Sequence, residues 1–296
     1  MVWSDVNVLC IMYVPIFLED GMIVDILGLS TMTSNNYGHG CDASVLLDGI
    51  ESEKDSLPNQ SLRGFDVIDT IKQKLENACP GVVSCADIVT LGARESVLLA
   101  GGPFYPLYTC RRDSTTSFPI KATNELPSPR NNVSRILESF ASKGFDESEA
   151  VSLLGAHSTG TVHCKFFNHR LYNFSGTNGP DPSIDPEFLQ LLKLKCNMSS
   201  SHNSSQQQDP GMSMDYEGPR TRFGTLYYRS LLQGKGLLFA DQQLTCRTET
   251  ETWVRAYASD VSLFQRDFGL AMIKLSNLEV LTAPMGQVRL NCRKVN

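Results

Sequence analysis

Apolar positions recur every three or four residues along most of the chain, and that period predicts helices almost throughout. In LRGFDVIDTIKQKLENA (62–78), Phe65, Ile68, Ile71 or Lys72, and Leu75 form one stripe on a helix ended by Pro80 and Gly81. Ser84, with Asp87 three residues on, resembles a capping box opening CADIVTLGARESVLLA, which Gly101, Gly102 and Pro103 stop. NVSRILESFASK predicts a helix ending at Gly144, and Asp146 with Glu149 caps another that runs through AVSLLGAH. Helices are also predicted in HCKFFNHRLY, PEFLQLLKLK, FGTLYYRSLLQ and the long TETWVRAYASDVSLFQRDFGLAMIKL, and strands are scarce. The polar tract NMSSSHNSSQQQ (197–208) reads as a surface loop, and no internal repeat is visible. The fold class is therefore mostly α, read as two helical lobes with a cleft between them.

Composition narrows the class. With 296 residues, 41% hydrophobic and 20% charged, the chain buries a sizeable core and is neither disordered nor fibrous. Lys and Arg total 26 against 32 Asp and Glu, a net charge of −6 with no basic stripe, so a nucleic-acid partner is excluded. Nine cysteines, with glycosylation sequons at Asn132, Asn173, Asn197 and Asn203, favour an oxidising, secreted setting. A signal peptide is then expected at the start. Val6 to Leu18 has the length of its apolar core, but no Lys or Arg precedes it, Pro15 interrupts it, and Glu19 and Asp20 follow it. The same stretch is too short to span a bilayer.

His157, in LLGAHSTG, ends an apolar helix between Gly155, Ala156 and Ser158. A lone histidine there reads either as a satisfied core residue or as a ligand, and its small neighbours leave room for a flat cofactor to approach the imidazole. His163 and His169 follow at spacings of six, about 240° apart on a helix, so the three do not share a face. HExxH and CxxC are absent, and with them the zinc and metallohydrolase readings.

Eleven segments appear in the order and spacing of one family: GCDASVLLD (40–48), EKD (53–55), PNQSLRGFDVID (58–69), CPGVVSCADIVTLGARESVLLAGGP (79–103), RRDS (111–114), LPSP (126–129), LLGAHSTG (153–160), RLYNFSG (170–176), LYYRSLLQGKGLL (226–238), ADQQL (240–244) and QVRLNC (287–292). Over residues 39–296 the chain resembles the secreted plant (class III) haem peroxidases. The resemblance implies a two-lobed helical fold with haem b between the lobes. His157 matches the axial ligand of the haem iron, and Asp241 the carboxylate that accepts the Nδ1 proton of that histidine. Tyr216 stands where an aromatic ring packs beside the imidazole, Asn59 matches the asparagine that orients the distal histidine, and Pro127 matches a proline near the aromatic donor site.

The same comparison implies calcium. Asp42, Ser44 and the carbonyls of Gly38 and Gly40 match a distal calcium site, with Glu53 joined through water; an Asx-type turn stabilising GCDAS is the alternative. A proximal calcium site is less complete: Ser158 and Glu217 can replace two ligands, but Pro219 and Gly224 fall where two further side-chain ligands are expected. Implied disulfides are Cys85 with Cys292 and Cys164 with Cys196, closing loops that stabilise by roughly 5 and 4 kcal/mol. Cys41 and Cys79 match half-bridges whose partners lie upstream; Cys10 could be offered to one of them, and Cys110 and Cys246 are additional.

Upstream of about Tyr37 the resemblance stops. The family's distal helix reads Arg-x-x-Phe-His-Asp-Cys-Phe, its histidine the general acid/base and its arginine a charge stabiliser. An ungapped register puts Ser30 at the arginine and Ser34 at the histidine. Residues 1–37 are thus expected to be an atypical segment, a poor signal peptide or a replaced first exon with the N-terminal helices replaced or lost, preceding a peroxidase domain over 38–296. The implied function is oxidation of phenolic or aromatic donors with hydrogen peroxide, in peroxide removal, oxidative stress response or cell-wall chemistry. A monomer, secreted to the extracellular space or cell wall, with no membrane partner, is expected. The alternative is a catalytically impaired secreted glycoprotein on the same scaffold.

Overall fold

The computed structural model describes residues 40–60, 62–196, 210–214, 216 and 223–296. Their elements are almost all helical, and they divide into two compact units, one of residues 40–126 with 269–296, the other of residues 127–268.

In the first unit, α1 (Phe65–Ala78) and α2 (Cys85–Leu99) pack together. Ile68, Ile71 and Leu75 of α1 meet Ile88, Val89 and Leu91 of α2 in one buried cluster, each contributing about 1.5–3 kcal/mol by leaving water. Lys72 shares the buried face with Ile71, its ammonium donating to the Val83 carbonyl and pairing with Glu76. The Ser84 hydroxyl accepts from Asp87 N–H as the cap pattern predicts, but the Asp87 carboxylate does not close the box. It turns instead to Cys110 N–H, at 2.8 Å, and to buried Arg111. Cys110 sits at φ 80°, a left-handed conformation suited to glycine. A helix absent from the sequence pattern, α3 (Pro119–Glu125), is short, with proline in its first turn.

The second unit begins with α4 (Val133–Ala141) and α5 (Glu147–Leu154), the latter opened by the predicted Asp146–Glu149 capping box. The expected helix over 163–172 is broken. Thr161–His163 forms strand β1, paired antiparallel with β2 (Gly211–Ser213), and a 3-10 turn at Cys164–Phe166 precedes α6 (His169–Tyr172). β-branched Thr161 and Val162 favour the extended form, and Cys164 is tethered to Cys196 at the end of α7 (Pro186–Lys195). The unit continues through α8 (Leu226–Leu232), α9 (Phe239–Gln242) and α10 (Thr248–Ser259). The long helix expected over 250–275 is likewise two. Asp260 interrupts it and its carboxylate accepts from Ser262 and Leu263 N–H, starting α11 (Val261–Ser276). α10 packs on both α8 and α5. Among the described residues no helix is long and apolar enough to cross a membrane.

Candidate active site

α5 ends at Leu154, one turn earlier than its apolar run suggests, and the next four residues, Gly155–Ser158, tighten into a 3-10 turn that presents His157. Gly155 permits close packing behind this turn: a Cβ there would lie 2.3 Å from the Tyr228 hydroxyl and 2.5 Å from the Phe264 ring. The imidazole Nδ1 lies 2.9 Å from Asp241 Oδ1, and the histidine side chain is 37% exposed while the aspartate is 1% exposed. Burial pushes the His157 pKa down, but the charge and hydrogen bond of Asp241 outweigh it, and the net shift is upward. With Nδ1 engaged, Nε2 is the ring nitrogen that has no partner among the described residues. That is the arrangement of a metal-binding imidazole whose tautomer is fixed by a carboxylate.

Asp241 lies on α9, and its Oδ1 also accepts, at 3.0 Å, from the hydroxyl of buried Tyr227 on α8. The Tyr227 ring stands edge-on to His157 with centroids 6.2 Å apart. Burial, and then the Asp241 charge, raise the tyrosine pKa far above its ordinary value, so it is a fixed donor. Tyr216 stacks on Phe188 at 4.5 Å and donates to the Lys235 carbonyl. The chain entering α9 is held by Arg170, which is fully buried and donates to the Gly236 and Leu237 carbonyls and to Asp181. Half-buried Pro127 belongs to a loop that is pinned beside Asp241, since Ala240 N–H donates to the Pro129 carbonyl.

In the first unit, the Asp42 carboxylate accepts from Ser44 N–H at 3.0 Å, the Asx turn anticipated for GCDAS. Gly40 is required by close approach, because a Cβ there would strike the Leu278 carbonyl. Glu53 is fully buried. Its Oε1 accepts from Phe118 N–H at 2.8 Å, while Oε2 has no hydrogen-bond partner among the described residues. Burial pushes the carboxyl up and Phe118 N–H and the Ser44 hydroxyl draw it back, with Asp42 close enough to repel it. An orphaned carboxylate oxygen beside a second carboxylate and a hydroxyl is the chemistry of a hard-cation site. Among the described residues no group of three or more His, Cys, Asp or Glu side chains could hold a metal ion, so hydroxyl and carbonyl oxygens would complete the shell.

Asn59 is buried, its amide donating to the Glu53 carbonyl at 2.9 Å, and its Oδ1 has no partner among the described residues. Ser158 is buried and its hydroxyl donates to the Gly155 carbonyl. Ser30, Ser34, Gly38, Glu217 and Pro219 lie outside the described residues. Cys85–Cys292 and Cys164–Cys196 are disulfides. Cys79 is also disulfide-bonded, and Cys10 lies outside the described residues. Cys41 donates from its thiol to the Leu275 carbonyl, while Cys110 and Cys246 are exposed thiols. Sequence reasoning missed Tyr227 and the Arg170–Asp181 pair. In LYYRSLLQ a tyrosine at helical spacing reads as core, and only its distance to Asp241 shows otherwise.

A family model described as Peroxidase matches residues 1–260. The match starts at residue 1 and so takes in the segment where the distal motif does not read in an ungapped register. Among similar relatives, Peroxidase 48 of Arabidopsis thaliana is 52% identical over 286 residues, covering 86% of this chain and 71% of the relative. Peroxidase 22 of the same plant is 45% identical over 267 residues, 88% of this chain and 74% of its own length. Peroxidase N of Armoracia rusticana is 42% identical over 265 residues, with coverages of 88% and 78%.

Proposed function

The chain belongs to the plant peroxidase family, and from that premise we propose that it is a secreted haem peroxidase that takes phenolic donors, with His157 as the axial ligand. The observation that carries this is the His157–Asp241 pair, an imidazole tied at Nδ1 whose Nε2 has no partner among the described residues. The residues fit the group: the histidine is partly exposed, its carboxylate partner is buried, and small residues flank it. Haem b, when bound, supplies the two-electron reduction of hydrogen peroxide and the one-electron oxidation of two donors.

The chain's own residues have separable tasks. His157 holds the iron; Asp241 holds the Nδ1 proton and lends the ring anionic character, which favours oxidised over reduced iron. Tyr227 shares Oδ1 with that proton and fixes the direction of the carboxylate. Pro127 and its loop form part of the donor site. Asn59 offers a buried carbonyl oxygen suited to an imidazole N–H; in the ungapped register that imidazole's position is Ser34 and its arginine neighbour's Ser30. Calcium would bind the 40–44 loop through Asp42, Ser44 and the carbonyls of Gly38 and Gly40, with Glu53 behind it. At the proximal position Ser158 could contribute, but Gly224 supplies no side-chain oxygen. Asn132 and Asn173, both exposed, suit glycosylation.

Ser30 and Ser34 favour a second reading, a secreted glycoprotein that keeps haem and scaffold but turns over slowly. Reconstitution with haem, followed by stopped-flow mixing with peroxide and guaiacol, separates the two. A histidine-ligated Soret band with rapid guaiacol oxidation supports the enzyme; the band without turnover supports the impaired form; no such band removes both.

A further inference from the structure

A line of redox-active rings runs from the proposed iron ligand to the protein surface, all within residues 127–268. His157 meets Tyr227 at 6.2 Å between centroids, Tyr227 meets Tyr228 at 4.9 Å, Tyr228 meets Tyr257 at 5.2 Å, and Tyr257 meets Trp253 at 5.7 Å. The three tyrosines are buried and Trp253, on α10, is half-buried, so the line begins at the site and ends at solvent. We propose that this line is an electron path that makes Trp253 a second oxidation site, for phenolic donors too large to reach the haem.

The hydroxyl partners match that role. Oxidising a phenol releases its proton, which needs a base within hydrogen-bond reach. Tyr227 donates to Asp241 Oδ1 at 3.0 Å and Tyr257 to Asp267 Oδ2 at 3.1 Å, so each has a carboxylate able to take the proton and return it. The Tyr228 hydroxyl instead donates to the Val151 carbonyl, which cannot accept a proton. Tyr228 therefore bridges two stations, and Tyr227 and Tyr257 are the stations. Trp253 needs no base, because its indole can pass through a radical cation.

The stoichiometry is that of the family reaction. Each donor ArOH gives one electron to oxidised Trp253 and one proton to water. The electron travels inward through Tyr257 and Tyr227, each oxidised and restored in turn, with Tyr228 as the bridge between them. Two such events supply the two electrons and two protons that convert one hydrogen peroxide to two waters, so 2 ArOH and H2O2 give 2 ArO• and 2 H2O.

This inference rests on His157 holding haem, and its test reports on that separately. Haem-reconstituted full chain is mixed with hydrogen peroxide and a nitroso spin trap, and the adducts are located by peptide mapping. The expected adduct is on Trp253 and is lost in Trp253→Phe. In parallel, free guaiacol is compared with guaiacyl groups grafted on a soluble polymer. Trp253→Phe should lower kcat/KM for the polymer at least ~10-fold and leave guaiacol unchanged. Guaiacol turnover with no adduct at 253 overturns the path, as does polymer oxidation unaffected by Trp253→Phe or impaired equally with guaiacol. Absence of a histidine-ligated Soret band overturns the premise and the path together.

Discussion

Replacing Asp181 by alanine isolates the pair on which the candidate site leans. Arg170 is 0% exposed, and its donors reach Asp181 Oδ2 at 2.8 Å, the Gly236 and Leu237 carbonyls at 2.6 and 2.9 Å, and Ser183 Oγ at 3.3 Å. Asp181→Ala leaves the guanidinium buried with carbonyls but without its hydrogen-bonded carboxylate, only the charge of Asp241 remaining, and breaking such a pair costs about 3–5 kcal/mol. At roughly 2–4 °C per kcal/mol the midpoint of thermal unfolding should fall by about 6–20 °C at pH 7. Acid supplies a second arm. Burial pushes the Asp181 carboxyl up, but hydrogen bonds from Ser183 and Arg170, with the Arg170 charge, pull it down, and the net shift is downward. A carboxylate depressed in the folded state stabilises above its unfolded pKa of about 3.9 and loses that contribution as pH falls through the lower folded value. The native chain should therefore lose stability below about pH 4 more steeply than Asp181→Ala does. Circular dichroism melts at fixed haem loading measure both arms. A midpoint change under ~2 °C at pH 7, or identical acid sensitivity in the two proteins, would refute the reasoning.

His157→Ala should abolish the Soret band of the haem-loaded protein, whereas Asp241→Asn should keep the haem and raise its reduction potential, read by spectroelectrochemistry; a normal histidine-ligated spectrum in His157→Ala would remove the central assignment. Calcium at about 100 times its dissociation constant should add about 2.7 kcal/mol of stability, lost in Asp42→Ala; a calcium response unchanged in that variant would show the loop to be an Asx turn only. Losing an acid/base group forfeits about 10²–10⁴ in rate and losing a charge stabiliser about 10²–10³. Allowing for non-additivity, stopped-flow oxidation of the haem by peroxide should be at least ~10³-fold slower than in relatives with both groups. Replacing residues 1–37 by the family's N-terminal segment should restore the rate, and Ser34→His with Ser30→Arg alone should not, because a small misplacement of such groups is costly.

Much of the helical pattern was legible because it depends on local chemistry. The Ile68–Ile71–Leu75 stripe, the Asp146–Glu149 capping box and the stop after α2 each follow from residues within a few positions of one another. The failures have a different cause. The run over 163–172 has helical periodicity, yet pairing with β2 and the bridge to Cys196 override it, and both partners lie far along the chain. Asp260 is invisible to a hydrophobic period because the apolar positions on either side stay in phase, while its cap bonds break the helix. At the site, motif matching found His157 and Asp241, but neither periodicity nor motif distinguishes Tyr227 from its neighbour Tyr228. The two differ in what their hydroxyls reach, Asp241 in one case and a backbone carbonyl in the other.

On the proposed function, haem retention and peroxide chemistry would be separable, because the groups proposed for each lie in different segments. His157, Asp241 and Tyr227, the Arg170 anchor, Gly155 and the Cys164–Cys196 bridge all lie within residues 127–268 and are complete there. These contacts all join described residues, so substitutions at Ser30 and Ser34 should leave the His157–Asp241 bond in place. Asn59 is the exception. Its Oδ1 is buried with no partner among the described residues, and a buried unmet acceptor costs about 1–3 kcal/mol. If a distal imidazole is supplied at the right place, that oxygen gains its bond, so restoring the family's segment should raise stability as well as rate. Asn59→Leu should cancel the stability gain, and a gain that survives Asn59→Leu would show that the orphaned oxygen has no part in receiving the histidine.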